Sequence, residues 1–511
     1  MFIKQIKVDK FKKLENFKLT FPESKIIDLE KDKEMKLSVI IGENGTAKTT
    51  IFELIINSFA SIQKNIELDN CEITYLLEGV NYTKTENSDV CIRRPANIVV
   101  SSYTPIDKLD ISKELVYSND DFFKKTNIAQ SIKESATRIL KKYASNRFAE
   151  VYSILEYIGY EKREICFELL DYQIRRSYAL DKIIRKIGLM DEEISFNNIN
   201  LDLMVDDKIH TYANELEEFS SSRNGRSRAN MFKKKIDRAL TYVLRDGIAT
   251  KIPNVSLKKK HYVIEGIFIL EKFLILLRTT ASTKSKYKNG NIKLLSTLDI
   301  DSYPGGKGQL LRDLEFLDLF SVNLLSDVWF QNKYDAEQFP LSMLSSGELS
   351  MFMRFFDLDE YVKDNSIVLI DEPETHLHPK WIRGYIKTLI KLLGDRKCHV
   401  LIATHSPLIV SDVTKSCIIG LKKDSYNIRQ VKIDDKTLGL NYEEVLSEVF
   451  CLEDYKGKMI EEYVDMIDKL LKYEDFDKAL SIYSQIGNSE IKYNLFLKLK
   501  AFKDSKGDKN V

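Results

Sequence analysis

The sequence predicts an α/β fold in which short buried strands alternate with helices and end in polar residues. Three stretches indicate it: "KLSVI" before a glycine-rich loop, "SIVLI" before two acids, and "CHVLIA" before a threonine and a histidine. In each of them an apolar run of strand length stops at polar residues, which is typical of a core strand. The first is followed by "TTIFELIINSFASI", whose apolar residues recur with helical spacing. Strand, loop and helix in this order are the context that a phosphate-binding loop requires.

The loop "IGENGTAKTT" matches the phosphate-binding pattern G-x-x-x-x-G-K-[ST] at every position but one. Its glycines permit a turn whose backbone N–H groups wrap phosphates, Lys48 is placed to reach the β- and γ-phosphates, and Thr49 is placed to bind Mg²⁺. The following helix directs its free N–H groups and positive dipole end at the same phosphates. We therefore expect ATP and Mg²⁺ as cofactors. The predicted nucleotide contacts are Gly42, Glu43, Asn44, Gly45, Thr46, Ala47, Lys48, Thr49 and Thr50.

The exception is Ala47, which stands where the pattern has its last glycine. We expect Ala47 at the helix entrance with a negative φ, where a methyl group is tolerated and the conformational freedom of glycine is not needed.

Polar residues at the ends of the other two strands complete a candidate catalytic site. A buried strand ending in Asp371 and Glu372 holds one carboxylate near Mg²⁺ and the other where a water is polarised toward a γ-phosphate. His405 is a candidate γ-phosphate sensor, although a lone histidine is usually structural. The sequence thus predicts catalytic roles for Glu372 and His405, and Mg²⁺ ligation by Thr49 and Asp371.

The stretch "LSSGELS" opens a predicted helix with two serines and a glycine. Such an N-terminus suits phosphate binding. The same residues also fit a simple helix cap with a glutamate in the first turn, and both interpretations stay open. The candidate phosphate contacts are Ser345, Ser346, Gly347 and Glu348.

The order GENGTAKTT, LSSGE, LIDEPE, ATHSP resembles the ABC-type ATPase head of the SMC-like and OLD-like families, over residues 1–110 and 335–450. The resemblance implies that two heads sandwich two ATP molecules, with Ser346 and Gly347 of one subunit reaching the γ-phosphate held by Lys48 of the other. It therefore implies at least a homodimer. It also places Lys12 of "KFKKL" where related heads carry a basic residue near the nucleotide.

The chain departs from this family pattern in two places. Related heads have a glutamine that binds Mg²⁺ and water after the strand "NIVV", but here Ser101, Ser102 and Tyr103 follow, so no such ligand is assigned. The turn "THLHP" has His376 and His378 where transporter heads have an aspartate. Two histidines at i, i+2 spacing without a third ligand do not predict a metal site.

The motifs divide the chain into an N-terminal lobe (1–110), an insertion (111–334), a second head segment (335–435) and a tail (436–511). No heptad pattern persists in the insertion, so we expect a compact helical unit rather than coiled-coil arms. The chain's net charge of +1 gives no overall bias toward nucleic acid. Basic clusters in the insertion leave nucleic-acid contact open, since charged runs are more often solvated faces. They are Arg223, Arg226, Arg228, Lys233, Lys234, Lys235, Lys258, Lys259 and Lys260.

The chain after "ATHSP" is predicted to form edge strands in "SCIIGLKKDSYNIRQVKI" and then helices. OLD-like nucleases resemble this head but append a TOPRIM domain, which needs acidic Mg²⁺ ligands at strand ends. The tail's one D-x-D, at Asp475 and Asp477, fits a helix start instead. The sequence contains no H-N-H cluster either, so we expect a head without its own cutting site.

Together, "SSYTPIDK", "LSSGE", "LIDEPETHLHPKW" and "ATHSPLIVSD" resemble the bacterial anti-phage ATPases typified by the Septu subunit PtuA and by retron-associated ATPases. In those systems a separate HNH-type nuclease is the partner, so the resemblance implies an ATP-hydrolysing switch that controls such a nuclease. An SMC-like repair or recombination ATPase and an ATP-locked scaffold with negligible turnover are the alternatives.

Cysteine usage and hydropathy bear on location. The six cysteines have no C-x-x-C spacing, which fits a reducing compartment. The sequence has no uninterrupted apolar stretch of about 20 residues, the length that spans a membrane. We expect a cytoplasmic protein that does not cross a membrane.

Overall fold

The structure is a computed structural model. It describes residues 1–23, 33–59, 70–85, 93–102, 109, 122–126, 132–160, 164–170, 178–189, 257–287, 291–331, 338–375, 377–424, 427–433, 436–450 and 458–505.

The elements follow one another along the chain as strands and helices of ordinary length. The strands are β1 (Phe2–Phe11), β2 (Leu14–Thr20), β3 (Lys36–Gly42), β4 (Glu72–Leu77), β5 (Val80–Thr85), β6 (Ile98–Ser102), β7 (Phe123–Lys125), β8 (Ile165–Leu169), β9 (Ser282–Lys284), β10 (Asn291–Leu295), β11 (Leu325–Gln331), β12 (Gln338–Pro340), β13 (Ile367–Asp371), β14 (His399–Ala403), β15 (Ile418–Asp424) and β16 (Asn427–Val431). The helices are α1 (Lys48–Phe59), α2 (Ile132–Ala144), α3 (Ala149–Ile158), α4 (Tyr178–Leu189), α5 (Leu257–Thr279), α6 (Thr297–Asp301), α7 (Gly306–Leu319), α8 (Ser346–Tyr361), α9 (Pro379–Leu393), α10 (Lys458–Lys472), α11 (Phe476–Gln485) and α12 (Glu490–Ser505). Short helical turns lie at Leu341–Met343, Pro407–Val410, Lys415–Cys417, Tyr442–Glu444 and Val445–Val449.

A seven-stranded sheet in the order β16-β15-β3-β14-β13-β6-β7 forms the centre of the fold. All neighbouring strands in it are parallel except β15 and β16, which pair as an antiparallel hairpin at the edge. The hairpin confirms the edge strands predicted after "ATHSP". The α/β class predicted from the three apolar runs is also confirmed, because they form the adjacent strands β3, β14 and β13.

Both faces of this sheet are buried, which explains why its strands are continuous apolar runs. Along β13, Val368 and Ile370 enter one hydrophobic cluster, while Ile367 and Leu369 enter another on the opposite face. Each of these side chains is fully buried, and burial of one such side chain stabilises the fold by about 1.5–3 kcal/mol. A polar substitution within β13 would therefore bury a polar group in the core on whichever face it occupied.

The two faces are covered by different parts of the chain. Helix α1 and the antiparallel sheet β2-β1-β4-β5 contribute to the cluster that contains Ile367. Helices α8 and α9 contribute to the cluster that contains Val368, together with α2, α3, α5 and α7 of the predicted insertion. The described part of the insertion thus shares one core with the head sheet.

The described part of the insertion is helical as predicted, but it also contributes strands that the sequence analysis did not identify. Strand β7 extends the central sheet. Strands β8 to β11 join β12 in a second, antiparallel sheet in the order β12-β11-β8-β10-β9. These strands are three to seven residues long, too short for a strand pattern to stand out from the helical segments around them.

The tail forms helices, as predicted. Helices α10, α11 and α12 enclose a small apolar cluster of their own, which includes Ile467, Ala479 and Leu495. Asp475 caps α11 by accepting a hydrogen bond from the backbone N–H of Lys478, so the tail's D-x-D is a helix start. Among the described residues, no helix combines the length and apolar character needed to cross a membrane.

Candidate nucleotide-binding site

The candidate site lies where three parallel strands of the central sheet end. Strand β14 lies between β3 and β13 and pairs with both in parallel, so the three carboxyl ends meet at one edge of the sheet. Open α/β sheets bind ligands at this edge. The glycine-rich loop follows β3, Glu372 follows β13, and Thr404 and His405 follow β14.

The glycines of the loop are required by its geometry. A Cβ at Gly42 would lie 2.6 Å from the carbonyl oxygen of Leu421 and 2.7 Å from the Thr46 hydroxyl oxygen. Gly45 has a φ of +89°, which glycine adopts without strain. The Thr46 hydroxyl closes the turn by donating to the carbonyl of Glu43 at 2.8 Å. The loop tip at 43–45 is exposed, whereas Thr46, Ala47 and Lys48 are buried.

The expectation for Ala47 is wrong. Its φ is +62°, in the left-handed region, although the helix begins at the next residue. The final residue of the loop must reverse the chain direction into α1, and this turn is made with a positive φ. Alanine accepts that conformation at a cost of about 1–2 kcal/mol, which a glycine would not bear. The methyl group of Ala47 is buried in the cluster beside α1, which offsets part of the cost.

Lys48 is held at the centre of the site. Its Nζ donates to the carbonyl of Gly42 at 2.9 Å and to that of Glu43 at 3.3 Å, and lies 2.7 Å from Nε2 of His405. Burial lowers the pKa of Lys48 to about 8, although the carboxylates of Glu372, Asp371 and Glu374 act in the opposite direction. The nearby carboxylates therefore do not fully compensate for the burial of the ammonium, and the ammonium is placed to bind an anion.

Thr49 and Asp371 form the second link across the site. The Thr49 hydroxyl donates to Oδ2 of Asp371 at 3.0 Å, while Oδ1 of Asp371 is buried and has no hydrogen-bond partner among the described residues. Burial raises the pKa of Asp371 to about 6. A buried carboxylate oxygen without a partner, beside a hydroxyl oxygen, fits the oxygen ligands that Mg²⁺ prefers. The residues present therefore fit the predicted Mg²⁺ ligand pair.

Glu372 occupies a strained position directly after β13. Its φ is +47°, and its backbone N–H donates to the carbonyl of Ala403 at 2.8 Å. A non-glycine residue in the left-handed region persists only where its surroundings enforce it, and such residues cluster at active sites. The strain is thus consistent with the catalytic role that the sequence predicts for Glu372.

His405 contacts Lys48, as a sensor in this site would. Burial, and then the charge of Lys48, lower the pKa of His405, so the neutral imidazole accepts a hydrogen bond from the ammonium through Nε2. The backbone N–H of His405 donates to Oε1 of Glu374 at 2.6 Å. Sequence analysis did not single out Glu374. The signal was a third acid in "LIDEPE", two residues after Glu372.

The residues of "LSSGELS" form a helix cap within their own subunit. Ser345 is the N-cap of α8 and makes a reciprocal capping box with Glu348. Ser345 and Ser346 are exposed. No hydrogen bond joins Ser346 to the loop at 42–50 in the described part of the chain. The capping interpretation is confirmed, and phosphate contact by Ser346 and Gly347 stays a prediction about a second subunit.

Some of the other residues named from the sequence lie within the described structure and some lie outside it. Lys12, in the turn between β1 and β2, makes an ion pair with Glu53 of α1 at 2.7 Å, and its side chain is half exposed. Thr50 lies partly buried in the first turn of α1. Ser102 ends β6 beside Asp371 in register. Tyr103, His376 and the basic cluster at 223–235 lie outside the described residues, as do the side chains of Lys258, Lys259 and Lys260.

Two further findings concern metal ligands. His378 caps α9 by accepting from the backbone N–H of Lys380. Across the residues that the structure describes, no group of three or more His, Cys, Asp or Glu side chains is arranged to hold a metal ion. A Mg²⁺ ion held by Thr49, Asp371 and substrate phosphates does not require such a group.

Comparison with known proteins places these motifs in a family. A family model described as an AAA ATPase domain matches residues 1–410. The chain is 21% identical over 426 residues to the Retron Vc95 probable ATPase of Vibrio cholerae serotype O1 biovar El Tor, which covers 81% of this chain and 74% of that protein. It is 27% identical over 124 residues to the Septu protein PtuA of Bacillus thuringiensis, covering 24% and 31%. It is 35% identical over 154 residues to Protein ea59 of Escherichia phage lambda, covering 30% and 29%. The matches thus span less than a third of the length of two of these three relatives.

Among solved structures, the SMC head domain from Thermotoga maritima is similar at 10% identity and a TM-score of 0.30, over 85% of this chain and 100% of that chain.

The positive φ of Ala47 predicts how substitutions there behave. We expect Ala47→Gly to leave ATP affinity within about threefold, since glycine adopts this φ freely and the loop contacts there are backbone ones. We expect Ala47→Val to weaken ATP binding by about tenfold or more, because a β-branched residue at positive φ is a conformational outlier. Titration calorimetry with ATP measures both. Equal binding by the valine variant would contradict the strained geometry.

The raised pKa of Asp371 predicts a pH-dependent gain in stability for Asp371→Asn. The folded chain keeps the Asp371 proton up to about pH 6, whereas the unfolded chain releases it at its ordinary value of 3.8, so stability falls as pH rises between these values and stays lower above them. The Asp371→Asn variant does not undergo this loss, which lowers the free energy of unfolding of the wild type by up to about 3 kcal/mol.

Thermal melting without nucleotide or Mg²⁺ measures this effect. The Tm of Asp371→Asn should exceed that of the wild type by a margin that grows from pH 4 to pH 7. The control is Asp395→Asn, at a carboxylate with 71% side-chain exposure. A difference between Asp371→Asn and wild type that does not change with pH would contradict the buried, ionisable Asp371.

Proposed function

We propose that this chain, which belongs to the AAA ATPase domain family, is the ATP-hydrolysing switch subunit of a bacterial anti-phage defence system and controls a separate nuclease. The observation that carries the ATPase part is the meeting of three strand ends. It brings five residues to the same edge of the sheet, namely Lys48, Thr49, Asp371, Glu372 and His405.

Lys48 and the loop would bind the phosphates of ATP. The Nζ of Lys48 now donates to two loop carbonyls and the neutral His405, which are weak partners for a buried ammonium. Phosphate oxygens are stronger acceptors, because charge-assisted hydrogen bonds are about twice as strong as neutral ones. The exchange of partners would also free the His405 imidazole to face the γ-phosphate.

Thr49 and Asp371 would hold Mg²⁺ with the nucleotide. When bound, Mg²⁺ neutralises charge on the β- and γ-phosphates. The electrostatics of the site favour a cation, since the carboxylates of Glu372 and Asp371 lie near enough to act on the Lys48 ammonium through their charge. Glu372, next to Asp371 but less buried, would accept a proton from the attacking water.

The active unit would be a dimer with ATP between two heads. Ser346 and Gly347 begin α8 on the surface, and the capping box leaves the Ser346 hydroxyl outside it. A helix N-terminus presents N–H groups and positive charge to an anion. Support for a composite site comes from the resemblance to ABC-type heads, in which this segment reaches the γ-phosphate of the other subunit.

The defence role and the nuclease partner rest on the relatives. The names of two of them refer to a retron and to Septu. The resemblance to Septu ATPases implies an HNH-type nuclease as partner. ATP would control it through the head dimer, since a ligand shifts a conformational equilibrium by its differential affinity for the two states.

The ATPase site and its dimer are tested by trapping. We expect Glu372→Gln to bind ATP with an affinity near that of the wild type but to hydrolyse it about 10²-fold more slowly or worse, because the positioned base is lost. Light scattering with ATP and Mg²⁺ should then show a dimer. Ser346→Arg in the same background should prevent dimerisation while ATP still binds.

The matched control for this experiment is Ser481→Arg, the same change at an exposed serine of the tail helix α11. It should leave the trapped dimer intact. Two results together would show that the site is not shared between subunits. They are a Glu372→Gln variant that stays monomeric with ATP, and a Ser346→Arg single variant that hydrolyses ATP at the full wild-type rate.

The nuclease proposal predicts a division of labour. The purified chain should not cut DNA with ATP and Mg²⁺, whereas the complex that the tagged chain forms in its native host cells should. In those cells Glu372→Gln should weaken protection against phage, so that plaque counts rise by at least about tenfold, since the switch no longer cycles. DNA cleavage by the isolated chain, or full protection by the variant, would overturn the proposal.

A further inference from the structure

Glu374 links the ends of two strands of the site. It lies in the turn that follows β13, where the N–H of Thr375 donates to the carbonyl of Glu372 and the N–H of Leu377 donates to that of Glu374. One carboxylate oxygen, Oε1, accepts from the backbone N–H of His405 at 2.6 Å. The other, Oε2, is buried without a hydrogen-bond partner among the described residues.

This link begins where the backbone bonds between the strand ends stop. The N–H of Glu372 donates to the carbonyl of Ala403, and the N–H of Thr404 donates to that of Ile40. At the next residue, His405, the partner of the backbone N–H is the Glu374 carboxylate. A carboxylate is a stronger acceptor than a backbone carbonyl. The position of His405 relative to Lys48 thus depends on a side chain from the turn after β13.

The bond has a consequence for the imidazole. Nε2 of His405 lies 2.7 Å from Nζ of Lys48, so a small shift of the His405 backbone would break that contact. Glu374 also stands among Glu372, Asp371 and Lys48 without a hydrogen bond to any of them in the described structure. Its side chain interacts instead with the strand end that carries the sensor, at the His405 N–H and the Thr404 hydroxyl.

We propose that Glu374 is a positioning residue for ATP hydrolysis, which acts by holding His405 in place beside Lys48. This inference rests on the proposed ATPase function. In this role Glu374 keeps His405 at a fixed position relative to the phosphate-binding loop. For this role the Glu374 side chain must provide a hydrogen-bond acceptor at Oε1, but it does not need a negative charge.

The acceptor and the charge are separated by two substitutions in the full-length chain. Glu374→Gln retains an amide oxygen that accepts from the His405 N–H but removes the charge, whereas Glu374→Ala removes both. We expect kcat within about threefold of wild type for the glutamine variant. For the alanine variant we expect a loss of about tenfold or more in kcat with the KM for ATP little changed.

A double-mutant cycle tests whether Glu374 acts through His405. If it does, Glu374→Ala in a His405→Ala background costs nothing further, because the residue being positioned is already gone. Single losses that multiply in the double variant would overturn the proposal. So would a glutamine variant as slow as the alanine variant, which would assign Glu374 a direct role of its charge.

A readout that does not require turnover separates this inference from the ATPase proposal. In NMR spectra of the chain with isotope-labelled histidine, the His405 signal is identified as the one that is missing from the His405→Ala variant. Glu374→Ala should move the pKa of His405 upward toward its ordinary value, because the imidazole leaves the buried position beside Lys48, while Glu374→Gln should leave it low. The signal of exposed His378 is the internal control. An unchanged His405 pKa in the alanine variant would refute positioning, whatever the ATPase assay shows.

Discussion

The parallel pairing of β3, β14 and β13 is the constraint on which the rest of the site depends. It brings together residues that lie far apart in the chain, such as Thr49 and Asp371, which are 322 positions apart and hydrogen-bonded at 3.0 Å. Because all three strands run the same way, their carboxyl ends lie at one edge and their polar residues converge there. The burial of both sheet faces fixes the register, since a shift of one residue would exchange the side chains of β13 between two hydrophobic clusters.

Burial gives the site its chemistry. A buried ammonium and two buried carboxyl groups are costly inside a protein, and the cost appears as the lowered pKa of Lys48 and the raised pKa values of Asp371 and Glu374. The positive φ values of Ala47 and Glu372 add conformational strain at the same place. The hydrophobic clusters on both faces of the sheet supply the stability that tolerates this strain. Perturbed ionisation and strained backbone accompany the glycine-rich loop at this edge of the sheet, as they often do at functional sites.

Much of this arrangement could be predicted from the sequence because its signals are local. Apolar runs that end in Gly42, Asp371 and Thr404 located the strand ends, and the loop pattern located Lys48. What could not be predicted depends on distant contacts. The φ of Ala47 follows from how the loop enters α1, and the role of Glu374 follows from its bond to His405, 31 positions away. The short strands of the insertion could not be predicted either, since their partners come from separate parts of the chain.

Helix α8 shows how the exposed cap is tied to the buried site. The buried guanidinium of Arg354 donates to the carbonyl of Ser102 at 2.5 Å, and Ser102 lies beside Asp371 in the sheet. On its other side, Asp357 of α8 pairs with Arg138 of α2 at 2.7 Å. The helix that begins at Ser346 is therefore fastened both to the strand next to Asp371 and to the insertion.

A helix held in this way moves as a unit with whatever it contacts, because packed cores shift between discrete arrangements instead of deforming gradually. A change at the Asp371 edge that displaced β6 would be transmitted through Arg354 to α8. The same helix would transmit it to α2 through Asp357. Helix α8 thus connects the strand beside Asp371 with the insertion, through Arg354 on one side and through the ion pairs of Asp357, Asp359 and Glu360 with α2 on the other.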